Sequence, residues 1–110
     1  MRLFLIITVM TMTVFVSVSQ AQEFDANATY SEFCAACHGF DGSGMSVEIP
    51  DFTDDQNRLG KDENILTKII MEGVEEADGT VLMPAFGGAD PFSTEQSREL
   101  IKYLRENFGS

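Results

Sequence analysis

Hydrophobic and polar positions divide the chain into an apolar block, three segments of helical period and two long polar connections. Leu3 to Val18 (LFLIITVMTMTVFVSV) carries no charge, with Arg2 before it and Ser19-Gln20-Ala21 after it. Farther on, Ala26, Tyr30, Phe33 and Cys37 recur at spacings of three and four behind the N-cap candidates Asp25 and Asn27. That pattern predicts a helix over 25–37, stopped near Gly39. Ile65, Leu66, Ile69 and Ile70 share one face of a second predicted helix, 62–72, which Asp62 opens and Gly73 closes. Leu100, Ile101, Tyr103, Leu104 and Phe108 mark a third over 93–108, the longest, with Ser93-Thr94-Glu95-Gln96 forming a capping box at its start. The connections 38–61 and 74–92 are rich in Gly, Asp and Pro, and no alternating strand pattern fills them apart from the short apolar triplet Val81-Leu82-Met83. Loops this long are uncommon in a compact domain unless they serve a function.

The apolar block has the layout of a secretory leader: a basic start, a short apolar stretch, and Ser19 and Ala21 at the spacing a signal peptidase reads. It is shorter than most membrane spans, and no basic flank follows it. Cleavage after Ala21 leaves Gln22 to Ser110, one domain of 89 residues, whose destination is the periplasm and which has no stable membrane association. With 7 Lys and Arg against 18 Asp and Glu the net charge is −11, and losing Arg2 makes it −12. A nucleic-acid binder that grips phosphates is excluded by this balance. Three short helices make a thin core for such a domain, so something else has to fill its middle.

Cys34 and Cys37 are the two cysteines, and Cys34-Ala35-Ala36-Cys37-His38 is the C-x-x-C-H pattern of covalent haem attachment. Two thiols at this spacing can add to the two vinyl groups of one porphyrin, and the next residue then turns its imidazole to the iron. A disulfide between them would close a tiny loop and staple little. A thioredoxin-like pair would follow a strand in a βαβ pattern, whereas this flank is helical. A structural zinc site needs four ligands, but His38 is the only histidine and no third cysteine exists.

At these residues the sequence resembles the class I c-type cytochromes, in particular the small bacterial monohaem type. Tyr30 four residues before Cys34, the run Cys34 to Gly39, Pro50, Met83-Pro84 and the last helix with Leu100, Tyr103 and Leu104 follow that pattern in order. The resemblance implies an all-α, cytochrome c-like fold, three or more short helices with long loops wrapped around one covalent haem. It implies that the first and last helices cross closely, with Ala26 and Tyr30 facing Leu100, Tyr103 and Leu104. It also implies that the Pro50 carbonyl accepts from His38, a residue otherwise read as an ordinary turn proline, and that Arg58 and Lys61 are candidates for the haem propionates.

An iron that shuttles electrons without binding oxygen needs a second axial ligand, for which Met45, Met71 and Met83 are the candidates after the leader. Met45 is seven residues from His38 and would have to round the porphyrin edge at once. Met71 ends the second helix, where packing is the commoner role. Met83 precedes Pro84, far enough along the chain to reach the opposite face, and the resemblance implies the same residue. The metal ligands expected are therefore His38 and Met83, and the cofactor contacts Cys34, Cys37, His38, Pro50 and Met83. The expected function is that of a monomeric periplasmic one-electron carrier that catalyses no bond chemistry. Its partners are redox proteins with basic docking surfaces, approached through Gly42, Gly44, Gly87 and Gly88 near the porphyrin edge. A cytochrome subunit bound permanently to a dehydrogenase or oxidase is the alternative.

Overall fold

The computed structural model describes residues 11–17, 23–54 and 58–109. The leader reading falls mainly on residues outside this set; 11–17 have no regular secondary structure, and among the described residues no helix is long and apolar enough to cross a membrane.

The first helical stretch opens with α1 (Ala26–Thr29), capped by the Asp25 carboxylate, which accepts from the Ala28 amide at 3.0 Å. It widens into a π-helical turn over Tyr30–Cys34, where the Ala35 amide donates to the Tyr30 carbonyl, and ends as α2 (Ala35–His38). This wide turn changes which residues face inward. The expected face Ala26, Tyr30, Phe33, Cys37 holds only as far as Tyr30, which is 1% exposed. Beyond the extra residue of the π turn, Ala35 and His38 are the buried positions, while Phe33 and Cys37 face solvent.

Helix α3 (Glu63–Glu72) starts at Asp62, whose side chain accepts from the Asn64 amide, and ends at Gly73 with φ +74°. Thr67 and Ile70 are buried, and Ile65, expected on the same face, is 51% exposed: the face turned to the core follows 63, 66, 67 and 70. Helix α4 (Thr94–Asn107) carries the capping box as expected, with Ser93 Oγ accepting from the Gln96 amide and Gln96 Oε1 from the Ser93 amide. Ser97, Leu100, Ile101 and Leu104 are its buried stripe.

α4 packs against both α1 and α3, so the core is the seam of these helices: Tyr30, Ala35, Leu59, Ile70, Leu100, Ile101 and Leu104. The crossing of the first and last helices occurs at the residues expected. The Tyr30 ring lies 5.7 Å from Tyr103 and 5.1 Å from Phe108, and the Tyr103 hydroxyl reaches Asn27. Between α3 and α4 the chain forms an antiparallel hairpin of β1 (Val74–Glu75) and β2 (Val81–Met83), with Val74 opposite Met83, followed by a tight turn over Ala85–Gly88. The hairpin qualifies the all-α expectation without altering the helical core.

Candidate haem-binding site

His38 ends α2 and is the one imidazole of the protein. The loop after it folds back upon it. The Gly44 amide donates to the His38 carbonyl and the Met45 amide to the Cys37 carbonyl, both at 2.8 Å, and the Phe52 amide donates to the Gly42 carbonyl at 2.7 Å. Phe52 thereby stacks its ring on the imidazole, centroids 4.4 Å apart and planes within 17°. The Tyr30 hydroxyl, reaching in from the helix seam, donates to the Gly39 carbonyl. Burial holds the His38 imidazole below its usual pKa, while the nearby Pro50 carbonyl acts in the opposite direction by favouring the protonated ring. Nδ1 is fully buried and makes no hydrogen bond of good geometry. Gly44 allows the close approach of the Pro50 segment: a Cβ there would stand 2.8 Å from the Ile49 oxygen and 3.3 Å from the Pro50 oxygen.

Cys34 and Cys37 are both free thiols, Cys37 exposed and Cys34 half-buried. Burial, with the second thiol nearby, pushes Cys34 up to about 11. The donor set suits a haem: two unpaired thiols one turn apart and a buried imidazole with one nitrogen toward a backbone carbonyl. It does not suit a structural metal, since among the described residues no group of three or more His, Cys, Asp and Glu is gathered.

The three candidate methionines, Met45, Met71 and Met83, are placed differently. Met45 is 68% exposed. The Met71 sulfur accepts from the Thr94 hydroxyl at 3.7 Å, tying the end of α3 to the start of α4. Met83 is half-buried at the end of β2, in a segment seated against Gly73 so closely that a Cβ there would lie 2.4 Å from the Met83 oxygen and 2.7 Å from the Ala85 nitrogen. Of the glycines expected to open a docking patch, three have inward duties: Gly42 lies under the Phe108 ring, Gly44 against Pro50, and Gly87 against the Phe33 carbonyl. Gly88 alone faces open space. Arg58 and Lys61 are exposed, and the backbone around them is held by Arg105, which donates to the Leu59 and Lys61 carbonyls at 3.1 and 3.0 Å.

Residues 21–104 match the family described as cytochrome c oxidase, cbb3-type, subunit III. The chain belongs to this family. It is a class I c-type cytochrome, with electron transfer as its class of function and haem c as its class of cofactor. Among curated proteins, the gluconate 2-dehydrogenase cytochrome c subunit of Pantoea cypripedii is 28% identical over a match 89 residues long that covers 76% of this chain and 20% of that protein. The cytochrome thus spans about a fifth of the length of this relative.

Sequence reasoning missed the π turn, the seat at Gly73 and the Arg105 clamp. The hairpin had a signal in Asp78-Gly79, a turn dipeptide between Val74 and Val81.

Proposed function

We propose that the protein is a one-electron carrier of the periplasm, exported by the leader 1–21, with residues 22–110 as its monohaem domain. One haem is held by thioethers from Cys34 and Cys37, with His38 and Met83 as axial ligands and the Pro50 carbonyl fixing the imidazole through Nδ1. Bound there, the haem supplies a ferric/ferrous couple, and a filled axial pair gives it a relatively high potential and no open position for substrate. The polypeptide itself anchors the ring, orients the imidazole and excludes water. The observation that carries this reading is the conjunction at the end of α2: two free thiols beside a buried imidazole stacked on Phe52. Met83 is supported by the placement of the other two methionines, one exposed and one engaged with Thr94.

The protein acts as a monomer and docks on redox proteins with basic surfaces. Residues 3–57 contain no Lys or Arg, and the loop after His38 exposes Phe40, Met45 and Val47 beside Asp41 and Glu48. An apolar patch in a negative field suits a partner with a basic rim and an apolar centre. A second reading, a cytochrome subunit held permanently in a dehydrogenase complex, is favoured by the name of the Pantoea relative. Size-exclusion chromatography of a native extract separates the two: a free carrier elutes near or below 12.1 kDa, and a subunit elutes with its complex.

A further inference from the structure

Phe86 is the one non-glycine residue with positive φ among the described residues, at φ 56° and ψ 20°. Gly87 and Gly88 follow at φ 64° and 89°, so three successive residues are left-handed. Glycine adopts such a conformation freely, whereas a residue with a Cβ persists there only where its surroundings impose it. Those surroundings are visible. The Phe86 ring meets Phe92 edge-on at 4.8 Å, and Phe92 packs on Phe24 at 5.3 Å. The Gly87 amide donates to the Pro84 carbonyl at 3.0 Å and the Ala89 amide to the Phe86 carbonyl at 3.1 Å. Gly87 is pressed against Phe33 in the π turn that ends at Cys34, while the Met83-Pro84-Ala85 backbone sits on Gly73. The Met83 segment is therefore gripped at its two ends, at Gly73 and at Phe86.

We propose that Phe86 is a positioning residue for Met83: its ring, held by Phe92, keeps the left-handed turn closed on Phe33 and so keeps Met83 in its seat at Gly73. This rests on Met83 being the iron ligand. Glycine would suit the backbone of residue 86 better, so the contribution of Phe lies in its ring.

Substitutions at this position separate grip from simple packing. Leucine is apolar but keeps the strained φ and loses the aromatic edge; glycine loses the ring but relieves the strain; tyrosine keeps the ring. Amide hydrogen exchange at Gly87 and Ala89 in the haem-loaded protein reads opening of the turn. The far-red absorption of ferric haem bound to thioether, followed in urea beside far-UV circular dichroism, reads the seating of Met83. We expect opening to increase about tenfold in Phe86→Leu and about threefold in Phe86→Gly, and to remain near wild type in Phe86→Tyr. The far-red band should be lost at correspondingly lower urea than the helix signal. Greater opening in the glycine variant than in the leucine variant would reduce Phe86 to ordinary packing and overturn the proposal. Unchanged exchange, or increased exchange with an unmoved band, would overturn it equally. A wild-type protein without the band, or a band that survives Met83→Leu, would instead refute the ligand reading and take this proposal with it.

Discussion

Gly73→Ala is the substitution that most directly tests how the Met83 segment is seated. Gly73 has φ +74° and ψ −168°, a region open essentially to glycine alone, so any Cβ there costs about 1 to 3 kcal/mol through the backbone. The new methyl would also stand 2.4 Å from the Met83 oxygen and 2.9 Å from the Pro84 carbonyl carbon. The shorter distance is about 1 Å inside ordinary contact, and because both neighbours are backbone, relief requires moving β2 and the turn after it. A loss of about 3 kcal/mol or more is expected, a large share of the stability of a small domain. Gly79→Ala is the matched control: φ is +89°, yet a Cβ there meets nothing within 4 Å, so only the conformational cost of about 1 to 2 kcal/mol applies. Urea unfolding of the haem-loaded protein by far-UV circular dichroism should show a midpoint lower by roughly 2 M for Gly73→Ala, and by clearly less for Gly79→Ala. Equal shifts in the two variants would refute the idea that Met83 is held by contact with Gly73.

Cys34→Ser combined with Cys37→Ser should leave no haem that survives acid-acetone extraction or denaturing electrophoresis, and the apoprotein should melt without cooperativity; a native-like melt would show that the helix seam suffices alone. Burial raises the Tyr30 pKa above its usual 10.0, so above about pH 10 the unfolded chain gives up a proton that the folded one keeps, and stability should fall with rising pH. Tyr30→Phe should flatten that fall while costing about 1 kcal/mol for the hydrogen bond to Gly39, as read by urea midpoints at pH 8 and about pH 11. Electron transfer with a basic partner should slow as ionic strength rises from about 10 to 150 mM, and a flat rate would show that the acidic surface does no steering.

The three helices and their caps were legible because their signals are local: Asp25, Asp62 and the Ser93–Gln96 pair each satisfy amides within three residues. The C-x-x-C-H pattern was legible for the same reason, since its chemistry lies within five consecutive residues. What lay hidden depends on contacts distant in sequence. Nothing in Tyr30-Ser31-Glu32-Phe33-Cys34 announces a π turn, and that single turn exchanges Phe33 and Cys37 for Ala35 and His38 at the buried face. Ile65 fits an apolar stripe as well as its neighbours do, and only the way α3 packs on the rest of the chain puts Thr67 inside instead. Leu59 stands alone in a polar loop and gains its place in the core with Arg105 clamping the backbone beside it, 46 residues away. The glycines show the same limit, because a sequence reveals their freedom but not whether a ring, a carbonyl or solvent stands opposite.

In the proposed function Cys34 and Cys37 fix a haem whose axial positions are filled by His38 and Met83. The visible spectrum of the purified, dithionite-reduced protein, recorded before and after addition of carbon monoxide, tests it most directly. The expected spectrum has the sharp, split visible bands of a low-spin ferrous haem c, unchanged by the gas. A featureless spectrum would contradict the cofactor, and a carbon monoxide shift at neutral pH would contradict Met83 as its ligand.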